Sequence, residues 1–170
     1  MNKDKLAKTR SRIEEQGFRG MTDQQISDLD LPLRFAPALC MTWAAIATAS
    51  ASAIGFWTLL PFAILGGFLP NHPFDFLYNG GIRRINDGER IPSYNNPRQF
   101  ACKMASVHLF GAALSIELGY VVLGQIIGGS LVLAAAVTVF SGFCLASFMY
   151  NRMPWNRRKS QTTVQTQVTQ

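Results

Sequence analysis

The chain has 170 residues, 48% of them hydrophobic, with 16 Lys and Arg against 10 Asp and Glu for a formal charge of +6. Length and apolar share are those of one ordinary domain, but the charge is segregated: no Lys, Arg, Asp or Glu falls between Phe35 and Asn71, and only Glu117 falls between Met104 and Asn151. A water-soluble fold needs charge on every exposed face, so stretches of 37 and 48 residues nearly free of it exclude an ordinary soluble domain and point to an integral membrane protein.

The basic residues flank the apolar stretches, where they anchor helix ends and meet anionic lipid. The partner expected is therefore the bilayer, and no nucleic acid. The first apolar run begins near Phe35, too far from Met1 for a secretory signal, and no acylation or prenylation motif is seen, so the spans themselves are expected to anchor the chain. Cys40, Cys102 and Cys144 cannot all pair and lie in or beside apolar segments, which argues against a secreted disulfide framework.

Residues 1–31 form a polar arm, expected on the cytoplasmic side, either against the membrane surface or in solvent. Within it, Thr22-Asp23-Gln24-Gln25 is a capping box that starts a short helix. Pro32 and Pro37 open a membrane domain over 32–151. Its first apolar run, Phe35 to Asn71, would be about 55 Å long as continuous helix, whereas one crossing needs ~30 Å and two need ~60 Å plus a turn. The break falls at Ser50 to Gly55, giving spans near 36–53 and 56–69. Pro61 and Gly66-Gly67 would bend or loosen the second span, for which a re-entrant hairpin is the alternative.

The polar segment from Asn71 to Gln99 carries two helix starts. At His72-Pro73-Phe74-Asp75, Pro at the first helical position has no N–H to orphan and Asp complements the positive helix end. This short interfacial helix is expected to turn Phe74, Leu77 and Tyr78 towards lipid and to stop at Gly80-Gly81, with a turn following at Asn86-Asp87-Gly88. Asn96-Pro97 then starts the third helix, with Asn96 as N-cap. Spans are expected near 101–119 and 127–150, joined through Gly119 to Gly129. The tail, 152–170, is basic and then rich in Gln and Thr, with nothing to build a core, and is expected to be disordered.

Orientation follows from the Lys and Arg residues. Seven stand in the N-terminal segment up to Arg34, five between Arg83 and Lys103, and four in the tail, which accounts for all of them. Four crossings place all three groups on one side, which the positive-inside rule makes cytoplasmic. The fold expected is an all-α membrane protein, four transmembrane helices in two hairpins with a short interfacial helix in the central cytoplasmic loop.

Within that topology Cys40, Cys102 and Cys144 share one depth range near the cytoplasmic side, with His72 and Asp75 where the second span emerges. Thiolates and imidazole suit soft or borderline cations, so Cys40, His72, Cys102 and Cys144 form a candidate thiol or metal layer. The competing reading is packing, since Cys behaves as a small hydrophobe and there is no CxxC pair. His108 and Glu117 are candidate intramembrane polar residues; nine positions apart, they lie on opposite sides of the helix and do not pair. His108 is expected to hydrogen-bond a Ser or Thr of a neighbouring helix, and Glu117 to stay hydrated at the outer interface. Ala101, Ala105, His108, Ala112, Ser115 and Gly119 share one helix face, a small-residue stripe that permits close helix approach; Ala134, Ala135 and Gly142 serve similarly on the fourth span. Trp43, Trp57, Trp155, Tyr120 and Tyr150 are interfacial anchors. No dinucleotide, P-loop, zincin or nucleophile-elbow motif is present.

Leu33-Arg34-Phe35-Ala36-Pro37-Ala38-Leu39-Cys40, Leu69 to Asp75 with Leu77-Tyr78-Asn79, Arg98-Gln99-Phe100-Ala101-Cys102 and Ser141-Gly142-Phe143-Cys144 resemble bacterial membrane proteins of "domain of unknown function 4395", over 33–150. The resemblance implies a small multi-span protein of the bacterial inner membrane and no established activity. In some relatives the Gly-Phe-Cys segment continues to a second Cys, a CxxC pair; here Ser147 stands at that place. The leading expectation is a non-enzymatic accessory or assembly component, free of cofactors and acting as a homo-oligomer or with a membrane-protein partner. The alternatives are thiol-dependent redox or metal handling through the cysteine layer, and small-solute or proton transport through His108 and Glu117.

Overall fold

The computed structural model describes residues 3–86 and 90–153, and every regular element among them is helical. Helices α1 (Lys3–Glu15) and α2 (Asp23–Leu29) precede a short 3-10 turn at Pro32–Arg34 and the long α3 (Phe35–Ala49). The capping box at Thr22 is present in both directions. The chain reverses where expected: α3 ends at Ala49, Ala51 takes a positive φ of 47°, and the Ser52 hydroxyl accepts from the Gly55 N–H to start α4 (Ala53–Phe68). The short α5 (Pro73–Leu77), a π turn at Tyr78–Ile82 and α6 (Arg83–Asn86) follow. After them come α7 (Asn96–Glu117), α8 (Val121–Ser141) and α9 (Leu145–Arg152).

Helix α4 packs along α7, α3 packs along α8, and each pair joined by a tight turn, α3 with α4 and α7 with α8, is also in contact. The result is a four-helix bundle around Phe56, Leu59, Leu109, Ala112 and Ala113, all essentially inaccessible. Large apolar side chains stand on the outside, with Ile46 65%, Ile54 75%, Val107 67%, Val122 69% and Leu133 70% exposed. Among the described residues two stretches are long and apolar enough to cross a bilayer, Asp23–Ala49 and Val121–Ser141; Ala53–Phe68 with Pro73–Ile82, bent by 87°, makes a third when taken as one broken span.

A second core closes one end of the bundle. Ile13, Phe18, Ile26, Leu29 and Leu33 from the N-terminal segment bury with Tyr78, Ile91 and Tyr94 of the central segment. The arm is thus folded against the bundle rather than standing free. The short helix at Pro73 meets expectation only at Leu77, which is exposed together with Phe76, whereas Phe74 and Tyr78 are buried. Phe74 stacks on Phe62, with centroids 5.0 Å apart, and Tyr78 meets Phe35, so tertiary packing sets that face. Gly80-Gly81 does not stop the segment, which runs through the π turn into α6. The turn expected at Asn86-Asp87-Gly88 falls largely outside the described residues. Trp155 and the tail from 154 lie outside them entirely.

The last apolar region departs most from expectation. The connection from α7 to α8 takes only Leu118 to Tyr120, with Gly119 at φ 85°, and α8 begins at Val121 rather than near 127. It ends at Ser141, where Gly142 adopts φ 70°, so the helix expected to run to 150 is divided into α8 and α9. A left-handed residue closes a helix and leaves its last carbonyls in need of donors. Arg34 Nη1 donates to the carbonyls of Val139 and Phe140 at 2.9 and 3.3 Å, and Gln16 Nε2 donates to that of Gly142 at 3.0 Å. Helix α7 begins at Asn96, but its N-cap is Asn95, whose side chain bonds the Gly17 carbonyl instead of capping.

Candidate functional site

The end of the bundle closed by the second core holds a buried polar cluster of Gln16, His72, Asp75, Tyr94 and Arg98, each with 6% of its surface exposed or less. The turn into α7 delivers Arg98. Its guanidinium donates to Gln16 Oε1 and to the Leu33 carbonyl and lies 4.4 Å from the Tyr94 ring centroid and 5.7 Å from that of Phe18. Arg98 stays protonated at any physiological pH. The ion pairs among the described residues are Arg10–Glu14, Arg10–Asp23 and Arg34–Asp30, so Arg98 is in electrostatic reach of Asp75 without ion-pair contact.

His72 caps α5: its Nδ1 accepts from the Phe74 N–H at 3.2 Å, which leaves the proton of the neutral ring on Nε2. Burial, with the charge of Arg98 acting in the same direction, lowers its pKa to about 4, so the ring is neutral at pH 7. The ring sits where Gly66 of α4 has no side chain; a Cβ there would lie 2.2 Å from His72 Cδ2. Asp75, 1% exposed, has its carboxyl pushed above the ordinary range by burial, against the opposing pull of Arg98 and Tyr94. Neither of its oxygens closes a well-formed hydrogen bond, although the Tyr94 hydroxyl lies against the carboxylate.

From this cluster a chamber of about 450 Å³ extends into the bundle between α3, α7, α8 and α9. All three cysteines line it: Cys40 from α3, Cys102 from the first turns of α7 and Cys144 from the break before α9. His72 lines it too, so the expected layer of Cys40, His72, Cys102 and Cys144 borders one space. Cys102 is within electrostatic reach of both Cys40 and Cys144, and the three thiols are free. Among the described residues no three His, Cys, Asp or Glu come together closely enough to hold a metal ion. At the position where a CxxC pair would have its second Cys, Ser147 is fully buried and donates to the Pro97 carbonyl, tying α9 to the start of α7.

The two intramembrane polar candidates separate. His108 also lines the chamber, with Nδ1 at 2.9 Å from the Met104 carbonyl of its own helix and not on the neighbouring helix expected. Glu117 stands exposed at the other end of α7, accepting from Trp57 Nε1 at 2.7 Å. The small-residue stripe divides likewise. Ala112 packs in the core, whereas Ala101, Ala105, Ala134 and Ala135 line the chamber and leave space between helices. Sequence reasoning named the cysteines and both histidines but missed Gln16, Tyr94 and Arg98, and read Asp75 only as a helix-start residue. An arginine in the first turn of a helix, where its charge opposes the helix dipole, is the one sequence signal that could have drawn attention to Arg98.

No curated protein and no solved structure matches the chain. The family model described as "Domain of unknown function (DUF4395)" matches residues 31–154, which takes in the bundle, the central segment and all three chamber cysteines. The chain belongs to the DUF4395 family.

Proposed function

We propose that the chain is an integral protein of the bacterial cytoplasmic membrane, crossing it four times in two hairpins with both ends and the central segment in the cytoplasm. It serves there as a non-enzymatic accessory or assembly component. The observation that carries this reading is the distribution of the surface: bulky apolar side chains are exposed along α3, α4, α7 and α8, while every Lys and Arg falls outside the two tight turns at the opposite end. At 22 residues α7 is about 33 Å long, enough for one crossing once its basic first turns lie outside the hydrocarbon. With 16 residues α4 is about 24 Å long, so the bilayer thins around it or its ends draw in headgroups. Lys103 Nζ, 4.8 Å from the Phe68 ring centroid, supports a boundary at that end of α4. Purification in mild detergent tests the accessory role: a stable partner or a defined oligomer supports it, and a monodisperse, partner-free monomer contradicts it.

The convergence of Cys40, Cys102 and Cys144 on one chamber favours a second reading, thiol-dependent redox work with Cys102 as the thiol shared between two neighbours. Intact-mass thiol counting on protein prepared without reductant tests it. A disulfide in part of the population, and a cellular phenotype lost in Cys→Ser variants, support the reading; three free thiols and an unchanged phenotype sink it. Metal handling gains no support from the spacing of the side chains, and transport gains none from His108 and Glu117, of which only His108 lines the chamber.

A further inference from the structure

Protein interiors are packed densely enough that voids larger than a water molecule are few. A chamber of about 450 Å³ falls instead among small-molecule pockets, which run from roughly 300 to 1,000 Å³. Its walls are graded. The body is alanine and methionine, with Ala101, Ala105, Ala134, Ala135 and Met104 among them, and the polar groups gather at the closed end as Gln16, His72, Tyr94 and Arg98. The wall residues Leu145 and Met149 of α9 are each 48% exposed, so an apolar rim borders the opening. A charged solute gains nothing on such a rim, whereas an alkyl chain does.

The closed end is rich in donors. Of the five N–H groups of Arg98, the two hydrogen bonds found go to Gln16 and to the Leu33 carbonyl, and His72 keeps an Nε2–H, while the Tyr94 hydroxyl is turned to Asp75. Asp75, the carboxylate in reach of Arg98, makes no ion-pair contact with it and does not line the chamber. A buried guanidinium without a contacting anion is costly, and a carboxylate is the group whose planar pair of oxygens matches its fork.

We infer that the chamber is a binding site for a single-chain amphiphile with a carboxylate head, the head held by Arg98 with His72 and the alkyl chain lying along the alanine walls of α7 and α8. This goes beyond the accessory reading and does not depend on the number of crossings. The inward-facing small residues act as spacers for a ligand, and the break at Gly142 ends α8 before α9, whose Leu145 and Met149 border the apolar opening.

The full chain in lipid nanodiscs, titrated with labelled laurate and separately with dodecanol, tests the inference. Saturable uptake of one laurate per chain is expected, with dodecanol at least about tenfold weaker because it lacks the charged head. Filling the walls with Ala105→Leu and Ala134→Leu places side chains in existing space; laurate affinity should fall at least about tenfold while thermal stability holds or rises. Arg98→Gln should abolish the preference for laurate over dodecanol. Should that variant fail to fold, the comparison of the two probes on the unaltered protein decides the head group. Unsaturable uptake, or equal uptake by the wall-filled variant, means partition into the surrounding bilayer and overturns the site. Equal affinity for the two probes overturns the carboxylate assignment.

Discussion

Substituting Gly66 by alanine tests how tightly the polar cluster is built. The added Cβ would lie 2.2 Å from His72 Cδ2 and 2.9 Å from Nε2, far inside van der Waals contact, so the ring must move. It has little room, being 3% exposed, with the Phe74 and Tyr94 centroids 5.2 and 6.4 Å away. Displacement breaks the bond from the Phe74 N–H that caps α5, worth about 1 kcal/mol. Overpacking of a close-packed site adds about 1–3 kcal/mol. Against this stands about 0.5–1 kcal/mol gained by replacing Gly with Ala inside a helix, which leaves a net loss of about 2 kcal/mol. Gly129 is the control: a Cβ there meets nothing within 4 Å, so Gly129→Ala should be neutral or stabilising by up to about 1 kcal/mol. Equilibrium unfolding of both variants in mixed micelles reads the difference. If Gly66→Ala proves as stable as Gly129→Ala, α4 does not fit closely on His72.

Protonation of His72 gives a pH dependence of defined sign. With a folded pKa of about 4 against 6.5 unfolded, the unfolded chain binds the proton first as pH falls. Stability should therefore decline from pH 6.5 towards 4 with a slope approaching 1.4 kcal/mol per unit, about one proton's worth, and His72→Gln should flatten it. Asp75, raised by burial, contributes a slope of opposite sign above its ordinary value, so Asp75→Asn should steepen the decline. Arg34→Met removes the donor to Val139 and Phe140 and leaves Asp30 unpaired, which should cost about 1–3 kcal/mol in the same unfolding assay. Glu117→Gln keeps an acceptor for Trp57 at an exposed site and should shift stability by less than about 1 kcal/mol.

Local signals in the chain marked the helices well where a backbone device was involved. The Ser50–Gly55 break, the Thr22 capping box and the Pro73 helix start all rest on chemistry confined to a few neighbouring residues, and all three are present. Gly142 was legible as a small residue but not as a left-handed one, because the donors that make the break tolerable, Gln16 and Arg34, come from far along the chain. The same distance hid the polar cluster: nothing near Arg98 announces that Gln16, Leu33 and Tyr94 will surround it. The cysteines were grouped by an expected shared depth, and they do border one chamber. The alanines were read as contacts, since a small side chain in a helix looks the same whether a neighbour closes on it or a cavity opens beside it.

The number of crossings and their direction are tested most directly by single-cysteine labelling in intact and permeabilised cells, in a background with Cys40, Cys102 and Cys144 replaced by alanine. Probes at Gly20, Ser93 and Met153 should react only after permeabilisation, and probes at Ser52 and Gly119 in intact cells. Reaction of Ser52 only after permeabilisation would make α3 and α4 a re-entrant pair, and reaction of Met153 in intact cells would leave an odd number of crossings. Either result contradicts the four-span account.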